Sequence, residues 1–132
     1  KMYKGKKLMK RRKAREKMIN LIYQNIIGLE VELEDLDEKT KDFYLDLSSK
    51  YHDIDQIISK NLTKWTIDRL NYVDLAIIRY CVYEMAYLNL PATVAINEAV
   101  EITKIYSNLD DELQSKFNNR LLDNIKKYLE EK

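Results

Sequence analysis

The sequence predicts an all-α fold, a compact bundle of about five to seven helices, on three observations. Apolar residues recur at spacings of three and four through most of the chain, the signature of helices with one buried face. Two glycines (Gly5, Gly28) and one proline (Pro91) in 132 residues are too few turn-formers for a sandwich or barrel. A composition of 45% hydrophobic and 34% charged residues can bury the core of one domain and solvate its surface.

The elements follow in order. The first helix is predicted from Lys7 to Ile27, with Ala14, Met18, Leu21, Ile22 and Ile26 on one face and Gly28 as its stop. Extended backwards, that face reaches Arg11 and Arg15, so one stripe changes from basic to apolar along its length. Residues 28–39 hold six acids among Val31, Leu33 and Leu36 and read as a connection with one helical turn at most. A long helix is expected from Thr40 to Leu62, facing inward with Phe43, Leu47, Tyr51, Ile54, Ile58 and Leu62. Trp65 opens a short turn through Leu70 and is expected to pack where the two halves meet. Its truncation to Ala would then cost roughly 3–5 kcal/mol.

Asn71 is the expected N-cap of a central helix, Tyr72 to Leu88, whose apolar residues nearly encircle it. Pro91 enforces its end. Thr93 is placed as the cap of the next helix, which ends near Ser107 and Asn108. Asp110, Asp111 and Glu112 then stand at the start of a last helix, where anions suit the helix dipole. That helix carries Leu113, Phe117, Leu121, Ile125 and Leu129 at four-residue steps. The whole reads as one domain over 1–132, with N-terminal helices (1–62) bearing a basic head and a C-terminal bundle (63–132).

Composition excludes several chemistries. There is no glycine-rich phosphate loop. A single cysteine, Cys81, leaves no disulfide framework or cysteine zinc site, and a single histidine, His52, leaves no histidine-rich metal centre. Cys81 is expected in the core and His52 at the boundary. The paired acids Glu98 and Glu101 read as a solvated helix face, so neither an enzyme nor a cofactor is expected. No apolar run approaches the ~18 residues of a membrane span, and the start lacks an apolar signal core; no membrane role and a reducing, cytoplasmic setting are expected.

Charge carries the first functional clue. Residues 1–17 hold ten Lys/Arg against one acid, Glu16, a net +9, and the remaining 115 residues are net −8. The run Lys10-Arg11-Arg12-Lys13-Ala14-Arg15 can track phosphates, with Tyr23 two turns beyond Arg15. On residues alone, nucleic-acid binding stands beside a solvated basic tail with tyrosines at helix packing edges.

Three segments bring a resemblance. Arg11-Arg12-Lys13-Ala14-Arg15-Glu16 with Leu21-Ile22-Tyr23-Gln24, Trp65 to Leu70 with Val73 to Arg79, and Tyr83-Glu84-Met85 with Val94 to Lys104 together resemble the NusB family of antitermination factors. The stretch from Val94 to Lys104 is the specific part. The resemblance implies an all-helical protein that binds single-stranded boxA-type RNA of ribosomal RNA leaders with the ribosomal protein NusE, within the RNA polymerase antitermination complex. It implies RNA contacts at Arg11, Arg12, Lys13, Arg15, Tyr23, Glu84 and Phe117. Cations would meet phosphates, aromatics would stack on bases, and a carboxylate would accept from base N–H groups. Acids of the C-terminal half such as Asp74 are the expected surface for NusE, and a homodimer is left open.

Two departures stand out. The family's Phe-Val-Asn-Gly motif reads Phe117-Asn118-Asn119-Arg120 here, and Arg120 lacks glycine's freedom. The connection from Gln24 to Lys39 is short, predicting an N-terminal sub-bundle reduced to two helices plus a turn. Two alternatives remain: the similar N-terminal module of a ribosomal-RNA cytosine methyltransferase, and a helical scaffold that binds only protein.

Overall fold

Six α-helices and two single 3-10 turns make up the structure, a computed structural model that describes residues 4–107 and 112–132, with side chains from Arg11 onward. Helix α1 (Lys4–Ile26) is followed by α2 (Glu38–Ser49), α3 (Tyr51–Lys60), α4 (Tyr72–Tyr87), α5 (Ala92–Tyr106) and α6 (Leu113–Glu130). The turns lie at Leu33–Asp35 and Ile67–Arg69. Among the described residues there is no strand, and no helix is long and apolar enough to cross a membrane.

Helix α4 is the axis of the bundle, packing against α1, α3, α5 and α6. Ten of its residues are buried, as an apolar set around the whole circumference requires. Asn71 caps it as predicted: its Oδ1 accepts from the Asp74 backbone N–H at 2.7 Å, while its Nδ2 donates to Asp74 Oδ2 at 2.8 Å. Helix α1 stops where glycine allows it. Gly28 takes φ +86°, and Leu29 N–H closes back on Gln24 O at 2.9 Å, satisfying a carbonyl the helix end would orphan.

Four expectations need correction. The helix expected over 40–62 is two helices, α2 and α3, broken at Lys50. Ser48 and Ser49 Oγ donate back to Leu45 O and Asp46 O at 3.1 and 2.6 Å, and such back-bonding weakens a helix end. Three helices therefore precede α4, and the reduced sub-bundle is not what forms. The inward face survives the break, since Leu47, Ile54 and Ile58 are all fully buried.

Helix α5 begins at Ala92 with Pro91 in the N-cap position and no side-chain cap hydrogen bond, so Thr93 lies within the first turn and is not the cap. The four-residue stripe of α6 is only partly buried. Each step of four overshoots a full turn by about 40°, so Leu113 and Leu129 lie roughly 160° apart. Leu121 and Ile125 are buried while Leu113 is 60% exposed, and Asn118 takes the inward place near the helix start.

Trp65 is the fourth correction. It is 49% exposed, set edge-to-face on Phe117 with ring centroids 6.4 Å apart, and Arg69 lies 5.3 Å over its ring. A peripheral aromatic pair of this kind is worth about 0.5–1.5 kcal/mol. Trp65→Ala should therefore lower stability by that amount in a urea titration, and a loss of ~3 kcal/mol or more would return Trp65 to the core.

Candidate nucleic-acid interface

Helix α1 runs against α4 and places its basic turns beside α5. Its cations divide by direction. Arg11 and Lys13 point to solvent, as does Lys17 one turn on. Arg12 and Arg15 turn inward onto carboxylates. Arg12 makes a two-pronged pair with Glu98, Nε and Nη2 each at 2.9 Å from the carboxylate oxygens. Arg15 is only 4% exposed, and its Nε donates to both oxygens of Glu84 at 3.1 and 2.9 Å. Its Nη1 lies 3.7 Å from Glu98 and has no hydrogen-bond partner.

The electrostatics follow from burial. Glu84, 4% exposed, is pushed above the ordinary carboxylate range by desolvation, with the Arg15 cation opposing that shift. Glu98 lies nearer water and is held below the ordinary range by its hydrogen bonds from Arg12. The Cys81 thiol is raised by burial among apolar neighbours, which suits a small core residue.

Further along α1, beside these pairs, a groove of about 590 Å³ opens between α1, α4 and α5. Lys13, Lys17 and Asn20 line its α1 wall with Tyr23, and Val73 and Tyr106 face them from α4 and α5. Glu16 and Tyr106 face the same groove, and the carboxylate's charge raises the Tyr106 phenol. Lys13, Lys17 and Asn20 share one face of α1 and Tyr23 lines the same groove from the adjoining face, so this wall combines phosphate-seeking cations with an aromatic ring.

The structure thus sorts the residues singled out from sequence. Arg11 and Lys13 are exposed, and Lys13 shares its groove with Tyr23. Arg12 is half-exposed and paired, whereas Arg15 and Glu84 are bonded to each other and buried. Phe117, half-buried, lies apart from the basic head beside Trp65. Lys17, Glu98 and Tyr106 were missed. The four-residue spacing of Lys13 and Lys17 was a usable signal for the first, while pairing across helices gave none for the others.

Asp74 corrects a further expectation. It is 4% exposed, and its Oδ1 accepts from Ser107 Oγ at 2.5 Å and from Asn118 Nδ2 at 3.0 Å. Asn118 also donates to Thr103 Oγ1 at 3.1 Å, so this departure from the family motif is absorbed by a buried polar cluster. A carboxylate so enclosed is not a surface for NusE. Arg120 lies exposed within α6, away from the positions with positive φ, so no glycine is required there. The stretch 108–111, with Asp110 and Asp111, lies outside the described residues; Glu112 stands at the N-cap of α6 as expected.

Burial raises the Asp74 carboxyl above its ordinary value of 3.8, outweighing its three side-chain donors. The unfolded chain releases this proton first, so the folded state binds more protons between 3.8 and the raised value. Stability should fall as pH rises through that window, with Glu84 adding a fall of the same sign. Asp74→Asn should flatten part of the fall in urea midpoints measured across mildly acid pH. An unchanged slope would show that Asp74 ionises normally.

Fold and site together define a helical-bundle protein with a basic, groove-bearing first helix and no metal-binding cluster among the described residues. The NusB family profile matches residues 8–127, and the chain belongs to the NusB family. The transcription antitermination protein NusB of Listeria innocua is 43% identical over 126 residues, covering 89% of this chain and 96% of that protein. The Bacillus thuringiensis protein of the same name is 39% identical over 130 residues, covering 89% and 98%. Among solved structures, T. maritima NusB aligns with a TM-score of 0.73 at 29% identity, covering 89% of this chain and 90% of that one. A structure of antitermination factors NusB and NusE in complex with dsRNA aligns at 0.70 with 26% identity, covering 89% and 96%.

Proposed function

We propose that this chain is a transcription antitermination factor that binds single-stranded, boxA-type leader RNA of ribosomal RNA operons together with NusE. The observation that carries the reading is the outward surface of α1, where Lys13 and Lys17 line a groove that holds Tyr23 while Arg11 lies exposed on another face of the same helix. Phosphates would be met by these cations and an unpaired base by the Tyr23 ring. Arg15 and Glu84 serve a different purpose in this reading. Their pair, with Arg12–Glu98 beside it, pins the basic head to α4 and α5, so that the outward cations are presented from a fixed helix and not from a loose tail. NusE would dock on the acidic body, through exposed acids in place of Asp74.

The test is fluorescence anisotropy of labelled boxA-like RNA against a scrambled RNA, each with and without NusE. Tighter binding of the boxA-like RNA, strengthened by NusE, supports the reading. Equal, weak binding of both RNAs in either condition refutes it and favours a protein-binding scaffold.

A further inference from the structure

Glu16 is the single acid among the first 17 residues, and it lines the groove that holds Tyr23. A carboxylate set in a wall of phosphate-seeking cations weakens the binding of any polyanion unless its lone pairs meet donors. Arg12, one turn earlier, is taken up by Glu98, and Glu16 forms no ion pair among the described residues. The group that senses its charge is the Tyr106 phenol of α5, which faces the same groove.

The α1 wall is ordered by depth. Lys13, Lys17 and Asn20 are exposed, whereas Glu16 and Tyr23 are half-buried. The helical repeat explains the sorting. Glu16 and Tyr23 are seven residues apart, so they point within about 20° of each other and stand about 10 Å apart along the axis. Lys13 and Lys17 are turned about 60–120° away from both. Behind them the groove is closed by buried Ala76, Ile77 and Ile102, an apolar surface that suits a flat base and not a phosphate. A strand with its phosphates on the exposed lysines would therefore turn a base inward, toward the ring and the carboxylate.

An ionised carboxylate accepts hydrogen bonds and donates none. Guanine answers it best, because its pairing edge carries adjacent N–H donors on N1 and N2, spaced for the two carboxylate oxygens. Adenine and cytosine offer an amino group beside an acceptor nitrogen. Uracil offers one N–H between two carbonyls, which repel a carboxylate.

We infer that Glu16 is a specificity-determining residue of the α1 groove, its carboxylate accepting from N1 and N2 of one unpaired guanine and discriminating against uracil at that position. The inference rests on the RNA-binding reading above and adds to it the base that the groove selects. Lys13 and Lys17 hold a strand without regard to sequence, while Glu16 lowers the affinity of every strand that brings it no donor.

Four short single strands test this by fluorescence anisotropy with the full chain: an oligouridine, and the same strand with one central guanosine, inosine or adenosine. The wild type should bind the guanosine strand about tenfold more tightly than the oligouridine, within the range of a two-pronged base contact. Inosine, which lacks the 2-amino group, should lose most of that gain, and adenosine should show little of it. Glu16→Gln should bind the guanosine strand more weakly than the wild type and the oligouridine more tightly, so that the two affinities converge. Helical circular dichroism checks that the variant is folded. Uniform tightening of all four strands by Glu16→Gln would reduce the carboxylate to simple repulsion and overturn the inference, leaving RNA binding intact. Equal binding of the four strands by the wild type, or none beside normal binding of the boxA-like RNA, overturns it also. Failure of the boxA-like RNA as well refutes the RNA-binding reading itself.

Discussion

Arg15→Ala should destabilise the fold by about 3–5 kcal/mol, the cost of removing one partner from a buried ion pair. The side chains of Arg15 and Glu84 are each only 5% exposed, so water cannot replace the lost cation. Glu84 would then be a buried carboxylate beside Tyr80 and Glu98, with its compensating charge gone. The cost belongs to the stranded group and not to the net strength of the pair. Replacing both partners together, Arg15→Met with Glu84→Met, should therefore recover most of the loss. Urea unfolding followed by helical circular dichroism measures both variants. A loss below ~1 kcal/mol for Arg15→Ala would show that the pair opens to solvent, and would return Arg15 to the set of cations free for RNA.

Tyr23→Ala should lower affinity for single-stranded RNA by about 1–3 kcal/mol, the range for removing one aromatic–base stack. The ring is half-buried in the wall of the groove that Lys13 and Lys17 also line. Stacking involves no counterion release, so the salt dependence of binding should be nearly unchanged. Anisotropy titrations at several salt concentrations give affinity and slope together. A variant that keeps wild-type affinity would mean that Tyr23 only packs against the core. A variant that changes the slope would mean that losing the ring displaces the basic turns.

Much of this arrangement was legible in the sequence because local rules and burial agreed. The Asn71 cap, the Gly28 stop and the all-round apolar α4 are each decided by a few adjacent residues and came out as read. Apolar spacing alone misjudged α2 and α3, because the Ser48 and Ser49 hydroxyls donate to carbonyls of the preceding turn at the end of α2, which periodicity does not register. It misjudged Leu113 as well, since a four-residue repeat drifts around the helix. At the site, residue type identified the basic head but not its division. Arg11 and Arg15 lie on one stripe of the wheel, yet only Arg15 meets a carboxylate, and that partner is 69 residues away. Asp74 shows the same limit. Its enclosure by Ser107 and Asn118 depends on α5 and α6 converging on the start of α4.

The central claim is that RNA is held by the outward cations of α1 while the inward arginines hold α1 in place. Its most direct measurement is the slope of log affinity against log salt for the wild type, for Arg11→Gln/Lys13→Gln/Lys17→Gln, and for Arg12→Gln. Each phosphate contact on a single strand contributes roughly −0.7, so losing the three outward cations should make the slope about 2 units shallower. Arg12, held by Glu98, should change the slope by less than one contact, below ~0.7. Equal slopes for the wild type and the outward triple variant would contradict the account and make the basic head a solvated surface with no part in binding.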